Sequence, residues 1–308
     1  MNILEGILLK LASALTFAVM QALVRSLGED IPVGEVVFFR SAFAVVPVVV
    51  IYALRQELSA AIRTARPLGH VGRGLAGLAS MFCSFAALAR LSLAEVTAIS
   101  FASPFVTVVL AALLLKEHVR AYRWSAVGVG FLGVLLMLAP HFDVARLAAG
   151  HGQAQTLGAA LALAGAFFNA SAVIQTRRLT DSETTSSIVL YFSLTCAVGG
   201  LLTLPFGWAV PTRWELAALN GICVLGGAGH LFLTESYRHA PASVIAPFDY
   251  TAILFAFVLG YMMFDEVPTR LVVIGAAIVV EAGLFVLWRE RRLGLKRARD
   301  AEGPASGA

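Results

Sequence analysis

Ten apolar runs, most of about twenty residues, recur along nearly the whole length of the 308-residue chain. They are Ile3–Leu27, Val36–Leu54, His70–Ala89, Ala94–Leu115, Trp124–Ala139, Leu157–Thr176, Ser186–Pro205, Leu216–Ser236, Ala242–Phe264 and Leu271–Trp288. A helix rises about 1.5 Å per residue, so roughly 20 such residues cross a hydrocarbon core about 30 Å thick. None of the runs alternates with period two, which argues against a transmembrane barrel. Backbone groups in lipid must then be satisfied within helices. Composition agrees: 59% of residues are hydrophobic and 14% charged, against about 45–50% and about 25% in soluble domains. The expected fold class is an all-α membrane protein with ten transmembrane helices.

The charges fall between the runs. "RQELSAAIRTARPLGHVGR", "KEHVRAYR", "TRRLTDSE", "SYRH" and "RERRLGLKRARD" carry most of the Lys and Arg, and the intervening loops are acidic or nearly neutral. Under the positive-inside rule this alternation places both termini in the cytoplasm of a bacterial-type inner membrane. The net charge of +4 is dispersed in these clusters, so lipid and not nucleic acid is the expected surrounding partner. The amino terminus lacks the basic start and small-residue cleavage site of a signal peptide and is expected to remain as the first span. Cys83, Cys196 and Cys223 each sit in an apolar run, with no spacing that suggests a metal site, and they read as small packing residues.

The chain also repeats itself. "GILLKLASALTFAVMQALVRSLGE" (Gly6–Glu29) aligns without a gap on "GAALALAGAFFNASAVIQTRRLTD" (Gly158–Asp181), which pairs Arg25 with Arg177. "ARLSLAEVTAISFASPF" (Ala89–Phe105) aligns on "YRHAPASVIAPFDYTAI" (Tyr237–Ile253), and one insertion later Glu117 meets Glu266. Two five-span halves follow, at 1–140 and 156–290, joined by a periplasmic linker at 141–155 and trailed by a basic cytoplasmic tail at 291–308 that is expected to be disordered. Five is odd, so the second half enters the membrane inverted. Inverted repeats are the architecture of many secondary transporters, because two pseudo-symmetric halves can exchange inward-open and outward-open states of similar energy.

"LLLKEHV" closing the fourth span and "MMFDEVP" closing the ninth, each followed by a glycine-rich span ("SAVGVGFLGVLLML", "VIGAAIVVEAGLFVL"), resemble the EamA-type members of the drug/metabolite transporter superfamily. The resemblance covers nearly the whole chain. It implies export of amino acids or related metabolites through a central cavity lined by spans one, three, four, six, eight and nine. The stretch "APASVIAPFDYT" also resembles relatives assigned to S-adenosylmethionine uptake, which is kept as the alternative.

Polar groups within spans are costly and mark function by default. Pro247 has no N–H and its ring clashes with the Ser243 carbonyl, so span nine should bend there and present Asp249 or Tyr250 to the pathway. A structural tie of Asp249 to Lys10, His230 or Arg238 is the competing reading. Pro104 should bend span four in the same way, making Pro104 and Pro247 the gating positions. Lys10, His230, Asp249 and Glu281 count to one level, about 10 Å from the cytoplasmic ends, and suggest a polar layer. His230, packed among Gly226, Gly227 and Gly229, offers proton exchange or a plain structural contact. Gln21 and Asn169 offer neutral donors and acceptors for an amino-acid substrate. Phe17, Phe101, Phe168, Phe248 and Tyr250 offer an apolar or cation–π wall. Arg25 and Arg40 are expected at the outer mouth, paired with Glu29, Asp30 or Glu35. No HExxH, GxSxG or Walker A pattern is present, so an embedded enzyme or a nucleotide-driven pump lacks its signature, and no cofactor is expected. Oligomeric state has no readable signal among so many small residues.

Overall fold

The computed structural model describes residues 3–54, 62–117, 119–141, 152–180 and 182–301. Nine helices among these are long and apolar enough to span a membrane, and Val33–Leu54 is a further helix of 22 residues. The spans, numbered by these helices, are one (Ile3–Leu27), two (Val33–Leu54), three (Pro67–Leu88), four (Leu93–Ser100 with Ala102–Leu114) and five (Ala121–Leu138). The second half supplies six (Gln153–Thr180), seven (Thr185–Leu201), eight (Arg213–His239), nine (Ala242–Ile245 and Thr251–Phe264, joined by a 3-10 turn) and ten (Arg270–Ala301).

Several boundaries differ from the sequence reading for identifiable reasons. Span three starts at Pro67, where a proline serves as a first helical residue because its missing N–H would be unpaired there anyway. Span ten continues through residues 291–301, where a disordered tail was expected. Its Arg, Lys, Leu and Ala residues are good helix formers and extend the helix beyond the apolar run. Residues 302–308 and most of the 141–155 linker lie outside the described residues.

Packing follows the repeat. Span one lies against eight as six lies against three; two contacts eight as seven contacts three; one meets nine as six meets four. Spans two and seven pack on each other, as do five and ten, so these two pairings map onto themselves when the halves are exchanged. Spans five and ten approach closely because Gly133 and Gly275 face each other: a Cβ on either would collide with the other's carbonyl oxygen, at 2.8 Å from Gly133 and 2.5 Å from Gly275. Leucine, valine and phenylalanine side chains such as Leu132, Leu135, Leu254 and Val258 are exposed on the outside, as expected where lipid is the solvent.

Spans four and nine are both discontinuous, at matching places. Pro104 removes the amide that would bond the Ser100 carbonyl, and the helix is interrupted at Phe101. Pro247 lies inside the 3-10 turn Ala246–Tyr250. The repeat alignment sets Phe101 on Asp249, so the breaks correspond although the prolines do not. The breaks also touch: the Phe101 and Tyr250 rings stack at 5.0 Å. The same two spans end alike. Lys116 and Asp265 both take a left-handed conformation at φ 53°, and the following amides, of Glu117 and Glu266, return to Ala111 O and Gly260 O. This wrapping turn is normally a glycine's. It sets a glutamate at the end of each helix.

Candidate functional site

A cavity of about 380 Å³ lies where spans one, two, three, four, six, seven and eight converge. That volume is in the range of about 300–1,000 Å³ typical of small-molecule sites. Phe17, Phe85 and Phe192 give it aromatic walls, and Met20, Met81, Leu88 and Val96 give it apolar ones. Gln21, Ser80, Ser84, Ser100, Asn169, His230, Arg40 and Arg73 are its polar groups.

The two arginines enter from opposite ends. Span two runs inward from the face opposite the amino terminus and carries Arg40 seven residues from its start at Val33, about 10 Å deep. Span three runs inward from the amino-terminal face and carries Arg73 six residues from Pro67, about 9 Å deep. Arg40 Nη1 lies 3.6 Å from Met81 Sδ, and Nη2 lies 3.5 Å from His230 Nε2. A guanidinium can only donate, so this contact calls for the neutral histidine tautomer with its proton on Nδ1. The Phe17 ring meets His230 edge-on at 5.0 Å and holds it in place. Arg73 donates from Nε to Thr176 Oγ1 at 2.7 Å and lies over the Phe192 ring at 4.1 Å. Gly77 makes this possible: a Cβ there would meet Arg73 Nη1 at 2.6 Å. Buried nitrogens remain without a hydrogen-bond partner on both arginines, Arg40 Nε and Arg73 Nη1.

Of the residues expected at the site, Phe17, Gln21, Asn169 and His230 line the cavity. Asn169 Nδ2 donates to Ser103 Oγ at 2.9 Å, tying span six to span four just past its break. Gln21 Oε1 is a distant acceptor for Thr97 Oγ1 at 3.5 Å. Phe101, Asp249 and Tyr250 do not line it, and span nine contributes no residue to it; spans two and seven do so instead. Asp249 pairs with Lys10 Nζ at 2.6 Å and is half-exposed. The expected polar layer is therefore divided, with Lys10 on Asp249, His230 on Arg40 and Glu281 exposed on span ten. Phe168 lines a separate apolar groove with Leu75, Leu78 and Phe82.

Arg40 and Arg73 were not foreseen as cavity groups. Arg40 was placed at the outer mouth and Arg73 in a basic loop. Gly72, Gly74 and Gly77 around Arg73 are the signal that could have found it, because small neighbours let a long cation lie within a packed bundle. Arg25 was given the wrong partner. Its Nε and Nη2 bond Glu266 Oε1, and Nη1 donates to Leu91 O and, at 2.8 Å, to Leu88 O. Glu266 Oε2 accepts from Leu93 N at 2.9 Å, while Glu29 goes to Arg90 at 2.8 Å and Glu35 accepts from Ala209 N at 3.2 Å. The repeat-related pair, Arg177 and Glu117, lies at the other face at 3.5 Å, with both side chains exposed.

Known proteins share this architecture. The profile of the EamA-like transporter family matches residues 4–139 and again residues 156–288. The pseudopaline exporter CntI of Pseudomonas aeruginosa is 33% identical over 284 residues, covering 90% of this chain and 94% of the exporter. The S-adenosylmethionine uptake transporter of Rickettsia prowazekii is 30% identical, covering 94% of each chain. A riboflavin transporter of Rhizobium johnstonii is 32% identical over 76% of this chain and 74% of its own. One crystal structure superposes with a TM-score of 0.61 over 91% of this chain and 96% of its own, at 19% identity, a likeness of fold alone.

Proposed function

Because this chain belongs to the EamA-like transporter family, we propose that it is a secondary transporter exporting amino acids or related small metabolites across the inner membrane by alternating access. The observation that carries this reading is the cavity between the two inverted halves, polar at several points and walled by aromatic rings. The loop charges orient it with both termini in the cytoplasm. Arg25–Glu266 then lies at the periplasmic face and Arg177–Glu117 at the cytoplasmic face. One closes while the other loosens, and the tight outer pair beside the loose inner one supports a conformer shut toward the periplasm. The breaks at Phe101 and Ala246–Tyr250 let half-helices swing while the rest of each span stays packed.

The relative named as an exporter supports the outward direction. Uptake of S-adenosylmethionine is the second reading, favoured by the relative of that name and by "APASVIAPFDYT". Two cationic side chains in the cavity weigh against a sulfonium cation. Counterflow into proteoliposomes, with an amino-acid panel and S-adenosylmethionine and with or without an imposed pH gradient, tests both. Exchange of amino acids supports the amino-acid substrate of the first reading, exchange of S-adenosylmethionine alone supports the second reading, and a rate that follows the gradient assigns proton coupling. No exchange of any solute by folded protein refutes both.

A further inference from the structure

Arg40 and Arg73 stand in a cavity that none of the described aspartates or glutamates lines. The acids that could neutralise them are engaged elsewhere: Glu266 by Arg25, Asp249 by Lys10, Glu29 by Arg90, Glu117 by Arg177, and Glu183 by Thr64 and the amides of Ala65 and Arg66. Cations within a bundle are ordinarily paired with an anion or a row of carbonyls. Here, among the described residues, Arg40 has as hydrogen-bond partners only the Met81 sulfur and the His230 imidazole, Arg73 has only the Thr176 hydroxyl, and each keeps one buried nitrogen with no hydrogen-bond partner. The planar fork of a guanidinium matches a carboxylate in two parallel hydrogen bonds.

We propose that the transported molecule carries two separated oxyanionic groups, of carboxylate type, one held by Arg40 and the other by Arg73. The inference rests on the transporter reading and narrows its substrate class. The two arginines approach from opposite faces, so the acids sit toward the two ends of an elongated molecule. Asn169, Gln21 and the serines meet the polar atoms between them, and the Phe17 and Phe192 rings cover its carbon skeleton.

The test is binding to the purified full-length protein, read as ligand-induced thermal stabilisation, and counterflow in proteoliposomes. The probes are aspartate, glutamate and 2-aminoadipate as diacids of graded length, asparagine and glutamine as their neutral amides, O-phosphoserine as a phosphate-bearing diacid, and putrescine as a cation. Variants are Arg40→Gln, Arg73→Gln, the two Arg→Lys changes, and Arg123→Gln as a control whose partner, Glu290, lies outside the cavity. Expected is binding of the diacids at least tenfold tighter than of their amides. Each Gln variant weakens it by roughly tenfold, the size expected for one charge-assisted contact; Lys restores part of this, and Arg123→Gln changes nothing. Binding of O-phosphoserine comparable to that of glutamate keeps the two-anion site and widens it to phosphate. Exchange of amides or putrescine as fast as diacids, unaffected by either Gln change, overturns the proposal and leaves the transporter reading standing. Absence of exchange for every probe by protein that melts cooperatively overturns both.

Discussion

Arg25 and Glu266, 241 positions apart, form one cross-half junction in which the arginine also caps the Leu88 and Leu91 carbonyls and the glutamate also receives the Leu93 amide. Span one, the end of span three, the start of span four and the end of span nine are thereby fastened at a single point. Its symmetry mate, Arg177–Glu117, has only the longer ion pair at 3.5 Å.

This difference predicts which face opens when each glutamate is neutralised. With Ser100→Cys as the only thiol, in a background where Cys83, Cys196 and Cys223 are alanine, Glu266→Gln should raise labelling by an impermeant maleimide from the periplasmic side several-fold. Glu117→Gln should leave that rate near the parent's. Equal labelling in both variants would remove the gating role from the junction.

Lys10 is buried and Asp249 half-exposed across their 2.6 Å contact. Asp249→Asn strands an ammonium whose other neighbour is the Tyr237 ring at 5.5 Å. The single variant should lose about 1–3 kcal/mol, seen as a lower melting temperature. Lys10→Met with Asp249→Asn should recover much of it, because no buried ammonium is then left without its counter-ion, and the neutral amide stays at the half-exposed position. The half-saturating substrate concentration should stay put in the double variant, since neither residue lines the cavity.

Gly283, on span ten, has no room for a side chain: a Cβ would collide with the Tyr250 hydroxyl and its ring carbon. Gly283→Ala should destabilise by about 1–3 kcal/mol, the usual penalty of overpacking. Adding Tyr250→Phe removes the hydroxyl and should return part of the loss. Melting curves of the two variants check both steps.

Glu183 lies outside the spans and is almost wholly enclosed. Burial pushes its carboxyl up, but the Thr64 hydroxyl and the Arg66 and Ala65 amides pull it further down, to a net value below the usual 4.5. A carboxyl depressed on folding contributes stability that is complete above about 4.5 and is lost as the pH falls through the lower folded value. The melting temperature of the parent should therefore exceed that of Glu183→Gln by a margin that is steady near neutrality and shrinks below pH 4.5. A margin unchanged down to acid unfolding would contradict the assignment.

How much of this was legible in the chain depends on the range of the interaction. The spans, their inversion and the breaks in four and nine follow from local chemistry: run length, odd count, proline. Alignment even set Arg25 on Arg177 and Glu117 on Glu266 without revealing that each arginine bonds the glutamate of its own face, because that pairing is created by spans packing across the halves. Depth counting missed Arg40 because span two starts at Val33, a turn earlier than its apolar run, and it misjudged Asp249 because it measures height and not azimuth. A residue at the right level can face a neighbour, lipid or the cavity, and a side chain as long as arginine's reaches several ångströms from its own turn. Span nine therefore drew attention for its proline and aspartate, while the cavity took its charges from spans two and three.

The Phe101–Tyr250 stack puts the weak points of both halves on a common fulcrum. In the proposed alternating-access cycle a tilt of one half-helix would press on the other, like the arms of a balance, so that the two mouths would not drift ajar independently. Under that proposal, such a linkage is what would separate a carrier from a leak.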